Sequence, residues 1–199
     1  MSKFKKWLVP LIGMALLTTV YTASAFTLRA WKWPAESTTY KIDSTYTNSG
    51  TGWNSRLSSA ISGWALTGFS YTQNSSSVNV IKAGSHPQCG AGCAAYTSNW
   101  ITGGTTTKFE IVVNTVSGIA FYDGTQGPSI PSNYYDLGTI MRHELGHALG
   151  LCHSAAPNSR LMSTILAVAT IKSVDTDATN GENNKYNGQT NTSDGACIP

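Results

Sequence analysis

The sequence predicts an α+β domain, and three observations predict it. The order of periodic segments is strand, helix, then strands, read from alternating and helically spaced apolar residues. A second, stronger helical segment follows a glycine- and proline-rich stretch late in the chain. The 199 residues are 41% hydrophobic and only 12% charged, which suits one globular core and excludes a disordered tail or a membrane bundle.

Taken in order, the first element is a leader. Lys3, Lys5 and Lys6 precede an apolar run from Trp7 to Val20, too short for a spanning helix, and Ala23-Ser24-Ala25 has the small-x-small form of a cleavage site. Residues 1–25 are therefore expected to be a signal peptide, with a mature domain at 26–199 and no integral membrane segment once the leader is cleaved. The formal charge of +3 comes from those three lysines, leaving ten basic against ten acidic side chains. Nothing in that balance calls for nucleic acid or an anionic membrane. Export also favours disulfides, and Cys89, Cys93, Cys152 and Cys197 are even in number. Four cysteines allow three pairings; Cys89–Cys93 closing a small loop and Cys152–Cys197 tying down the C-terminus is the preferred one.

After Trp31-Lys32-Trp33-Pro34, residues Thr38 to Ile42 alternate as a strand. Trp53 to Leu66 follows as a helix with Leu57, Ala60, Ile61, Trp64 and Ala65 on one face. Val78 to Ile81 and Ala94 to Thr97 are short strands, and Phe109 to Val113 is the clearest one. Thr115 to Asn133 carries Gly118, Gly124, Gly127, Pro128 and Pro131 and reads as a long loop. Asp136 then caps a helix from Leu137 to Leu149, which Gly150 ends. Leu137, Ile140, Met141, Leu145 and Ala148 form its apolar face, with His143 and His147 together on the flank.

The chemistry concentrates there. His143-Glu144-Leu145-Gly146-His147 places two imidazoles one turn apart, where they can hold one metal ion, and neutral imidazole is a zinc ligand. Glu144, one step round the helix, is placed to reach a water at the metal and act as general base. Gly150 permits the turn that brings His153 back as a third ligand, leaving the fourth position open as catalysis requires. A helix with polar-edge histidines, a closed structural zinc site and a Cys152 thiol nucleophile all explain less of this pattern.

His143 to His153, HELGHALGLCH, resembles the extended zinc motif of the metzincin metalloendopeptidases. Met162 in Arg160-Leu161-Met162-Ser163 is similar to the Met-turn of that family, and Ser154 after the last ligand resembles the matrixin branch. The resemblance implies a twisted mixed sheet with two long helices, a small irregular C-terminal subdomain and one catalytic zinc between the halves. It further implies hydrolysis of peptide bonds, with Glu144 catalytic and His143, His147 and His153 on the metal. Ser163-Thr164 departs from the Tyr-Pro usual after the Met-turn methionine, and no propeptide of animal-matrixin size fits before the first strand. Val174 to Gly188 is similar to the matrixin C-terminal helix but has few apolar residues, so a poorly packed helix or a loop is expected.

Other residues receive plainer readings. His86 is expected to be a loop histidine, and the His86-Pro87-Gln88-Cys89-Gly90 likeness to a cysteine switch gives way to a loop disulfide. Trp31, Trp33, Trp53, Trp64 and Trp100 are expected in core and edge packing rather than on a sugar-binding face. Asp123, Asp175, Asp177 and Asp194 are loop acids of the kind that hold calcium in metzincins, yet none forms an EF-hand, so Ca2+ ranks behind solvated turns. The expected protein is a secreted, extracellular or periplasmic, monomeric zinc endopeptidase, taking protein or peptide along an edge strand near Ala94 to Thr97. A secreted binding or adhesion module that keeps an idle zinc site is the alternative.

Overall fold

The computed structural model describes residues 28–90, 92–154 and 159–187. The leader, Cys197, Asp194 and Gly188 lie outside the described residues. The order of elements is β1 (Ser37–Ile42), α1 (Ser44–Thr47), α2 (Trp53–Ala65), β2 (Ser70–Gln73), β3 (Val80–Gly84), β4 (Ala95–Thr102), β5 (Thr105–Asn114), β6 (Ala120–Tyr122), β7 (Tyr134–Asp136), α3 (Leu137–Leu149) and α4 (Thr176–Tyr186). Five strands form one sheet in the order β2-β1-β3-β5-β4. Its pairs are parallel except β4–β5, so the sheet is mixed and β4 is an outer strand. The architecture is α+β, as the sequence predicts.

Phe109, Ile111 and Val113 of β5, Ile81 of β3 and Tyr40 of β1 supply the sheet side of the core. Trp53, Leu57, Ala60 and Trp64 of α2 meet it together with Leu137, Met141, Leu145, Ala148 and Leu149 of α3. The two helices are also joined by a hydrogen bond from Trp64 Nε1 to Arg142 O at 2.9 Å, and Tyr71 Oη donates to Leu145 O at 2.6 Å. Ala65, expected on the apolar face of α2, is exposed because the helix ends there and Leu66 turns outward.

Several elements differ from expectation for identifiable reasons. β2 has a single buried residue, Tyr71, and α1 has four residues, so neither carries a periodic signal. β6 lies within the expected long loop, and pairs only with β7 in a three-residue parallel ladder. β4 continues to Thr102 and β5 begins at Thr105, because Gly103 and Gly104 both take positive φ and close a tight hairpin. The C-terminal segment is a helix, as the resemblance implies, despite its few apolar residues. α4 is helical over eleven residues, opened by Asp175, whose carboxylate accepts from Ala178 N at 2.9 Å.

Candidate metal centre and active-site cleft

Helix α3 is positioned from its first residue. Asp136 is its N-cap, its Oδ2 accepting from Thr139 N at 2.7 Å and Thr139 Oγ1 at 2.9 Å. The same buried carboxylate lies 3.5 Å from Arg56 Nη1 and 4.0 Å from Arg142 Nη1, which ties the helix start to α2. At the other end Gly150 adopts φ 103°, ψ 19°, a left-handed conformation that side chains with a Cβ resist. Its N–H and that of Leu151 bond back to His147 O and Gly146 O at 3.0 and 2.9 Å. The reversal carries the chain to His153.

The three imidazoles meet. His147 Nε2 lies 3.0 Å from His143 Nε2 and 3.2 Å from His153 Nε2. His143 Nδ1 is 2.8 Å from Leu161 O, and His147 Nδ1 is 2.8 Å from Leu151 O. A carbonyl only accepts, so on both rings Nδ1 carries the hydrogen and Nε2 presents its lone pair to the common centre. Burial, the largest influence on each, holds the His143 ring down to about 4 and that of His147 well below its ordinary value, so both are neutral. The His143 and His147 lone pairs, 3.0 Å apart, repel unless a cation lies between them, and a set of three imidazoles suits zinc. Among the described residues this is the one group of three or more His, Cys, Asp or Glu side chains so gathered.

Glu144 is 6% exposed and faces the same cavity. Thr97 Oγ1, on the outer strand β4, donates to its Oε2 at 2.6 Å, while burial pushes its carboxyl up to about 7 against that bond. Asn99, two residues along β4, donates from Nδ2 to His147 O at 3.2 Å. The strand and the helix therefore form the two walls of a cavity of about 470 Å³. Beneath α3, Met162 is 1% exposed and its Sδ packs against the α-carbon side of Gly146. Met162 O accepts from Ser154 N at 2.7 Å, closing the turn that carries Leu161 O to His143.

A family model described as Matrixin, a peptidase family, matches residues 32–187. The chain belongs to the matrixin family. No individual curated protein matches it. Matrixins are zinc metalloproteases, in keeping with the converging imidazoles of this matrixin.

Cys89–Cys93 is a disulfide in the loop before β4, and Cys152 is also disulfide-bonded; Cys197, its expected partner, lies outside the described residues. His86 stacks on Tyr96 at 4.4 Å and its Nε2 lies 3.2 Å from Ser98 Oγ, away from the metal centre. Gln88 N donates to His86 Nδ1 at 3.2 Å, which places the ring hydrogen on Nε2. Asp123 binds Thr125 N and Gly52 N, Asp175 binds Leu161 N and Ala178 N, and Asp177 is buried beside Ser154. Asp123 thus ties its own turn to the start of α2, Asp175 caps α4 and Asp177 is buried within α4, so none of the three is a solvated turn. Trp33, Trp53 and Trp64 are buried in the core, whereas Trp100 is 44% exposed under Lys108 Nζ.

Thr97, Asn99 and the carbonyls of Leu151 and Leu161 carry no sequence signal for a role at the site. They are brought there by a strand-to-helix approach and a turn. Ile140, expected among the core residues, lines the cavity, as do Thr164, Ile165 and Leu166 where the Tyr-Pro departure occurs.

Proposed function

We propose that this matrixin is a secreted endopeptidase, acting as a monomer on protein or peptide, with His143, His147 and His153 as zinc ligands and Glu144 as the catalytic acid–base. The observation that carries the reading is that three converging Nε2 atoms and the Glu144 carboxyl line one cleft, walled by an outer strand. Zinc held there supplies Lewis acidity toward a carbonyl oxygen and water. Glu144 takes a proton from the attacking water as its oxygen adds to the scissile carbonyl carbon, and returns that proton to the amine nitrogen as the C–N bond breaks. The Thr97 bond occupies Oε2, leaving Oε1 to handle the proton and holding the carboxyl in one orientation. The edge of β4 from Ala95 to Asn99, unpaired among the described residues, offers backbone groups to an extended peptide. The leader at 1–25 and the Cys89–Cys93 disulfide support export to an oxidising compartment.

Glu144→Ala is expected to keep fold and metal content while cleavage of casein or gelatin falls by roughly 10²–10⁴-fold. Normal cleavage by that variant removes Glu144 from the mechanism. A metal-loaded wild type that cleaves nothing across a broad peptide library points instead to the binding module.

A further inference from the structure

The segment ahead of β1 crosses the exit of helix α3. Leu28 forms an antiparallel bridge with Leu151, and Arg29 N donates to Gly150 O at 3.0 Å. Arg29 O in turn accepts from Lys185 Nζ at 2.7 Å, and that lysine is buried in α4. Both backbone polar groups of Arg29 are thereby fixed, one to the end of α3 and one to α4, while the residue as a whole stays exposed. It lines the active-site cavity beside His147, Leu151 and His153. After burial and the neighbouring imidazoles, the charge of Arg29 helps to hold the His147 ring low, which places the guanidinium within electrostatic reach of the metal centre.

Among the described residues lining that cavity, Arg29 is the one lysine or arginine and Glu144 the one acid. Glu144 is engaged with Thr97, and the ion pairs among the described residues, Arg56–Asp136, Arg142–Asp136 and Lys82–Glu110, leave Arg29 out. The corner is positive beyond Arg29 itself: after burial, the charges that bear on Lys185 are those of Lys32 and Arg29. A guanidinium presents five N–H donors in a planar fork that matches a carboxylate. A cleft wall carrying one sign of charge concentrates ligands of the other.

Glu144 sets where along a bound peptide that wall falls. It returns its proton to the departing amine, so the amine side of the scissile bond lies toward Glu144 and the first half of α3, where Ile140 also lines the cavity. The acyl side then runs toward the exit of the helix. Gly150, to which Arg29 is bonded, is six residues past Glu144, about 9 Å along the helix axis, and an extended peptide covers that distance in about three residues. Building on the peptidase reading above, we propose that Arg29 selects substrates with aspartate or glutamate two or three residues before the scissile bond, its guanidinium binding the side-chain carboxylate. The C-terminal carboxylate of a peptide lies on the opposite, amine side of the cut, so the anion that Arg29 takes is a side chain.

The test uses the zinc-loaded mature protein and synthetic quenched-fluorescent decapeptides in which glutamate, glutamine or lysine occupies each position in turn, with the cut bond located by mass spectrometry. Glutamate at the second or third position before the cut should raise kcat/KM about tenfold over glutamine, as a partly screened charge-assisted bond does, and the gain should shrink in high salt. The preference should disappear in Arg29→Gln and invert toward lysine in Arg29→Glu. Both variants change an exposed side chain whose backbone does the anchoring, and circular dichroism checks that they fold. Cleavage indifferent to charge at these positions overturns the assignment, as does a glutamate preference that survives both substitutions or one confined to the amine side of the cut. A wild type that cuts no peptide removes the peptidase reading instead. The carboxylate site is then decided by fluorescence anisotropy on Glu144→Ala, where equal Kd for the glutamate and glutamine peptides removes it and tighter binding of the glutamate peptide, lost on adding Arg29→Gln, retains it.

Discussion

Replacing Gly146 by alanine sets two effects of opposite sign against each other. In an exposed helix interior the change stabilises by about 1 kcal/mol. Here the new methyl would sit 2.5 Å from Met162 Sδ, 3.0 Å from its Cε and 3.1 Å from Trp64 Cζ2. Neither neighbour has room to retreat: Met162 is 1% and Trp64 0% exposed, and Trp64 is held by its bond to Arg142 O. Overpacking of this kind destabilises by roughly 1–3 kcal/mol, so the net expectation is a loss of up to about 2 kcal/mol. For a domain of this size a loss of about 2 kcal/mol is a Tm lower by about 4–8 °C, read by circular dichroism at saturating zinc. In a Met162→Ala background the same substitution should become neutral or stabilising, which a double-mutant cycle measures as coupling. If Gly146→Ala alone raises stability by about 1 kcal/mol, the packing of the Met-turn against the zinc helix is wrong.

Two further outcomes follow from the same structure. Asp136→Ala removes the cap of the zinc helix and the anion between Arg56 and Arg142, and should destabilise by about 2–4 kcal/mol in urea unfolding; a change below about 0.5 kcal/mol would contradict the clamp. For Lys185, burial comes first, with the charges of Lys32 and Arg29 adding to it, in lowering its ammonium to about 7. A lowered lysine means the unfolded chain binds the extra proton above pH 7, so stability should rise with pH from about 7 until the buried phenols Tyr46, Tyr71 and Tyr186, raised by burial, reverse it near pH 10. That rising limb should flatten in Lys185→Met, and a wild type whose stability is flat or falling over the interval would refute the assignment.

How much was legible depended on whether the signal was local. Helix α3 is legible from Asp136 to Gly150 because cap, period and left-handed stop are all properties of a few consecutive residues. α4 was less legible: its buried face holds Asp177, Glu182 and Lys185, so hydropathy reads it as loop-like although Asp175 caps it. β2, β6 and β7 were missed because three or four residues held by parallel partners far along the chain carry no periodicity of their own.

The sequence by itself determined that three histidines and a glutamate share one helix and its exit turn, since the offsets of an α-helix and a glycine stop place them there whatever the rest of the chain does. Only the tertiary structure decided which atoms orient them. Leu161 O, Leu151 O and Thr97 Oγ1 fix two ring tautomers and one carboxylate, and each arrives from a turn or strand whose position depends on the packed core. Helix geometry is set by neighbours in sequence, whereas hydrogen bonds across elements exist only after burial has brought their donors and acceptors within 3 Å.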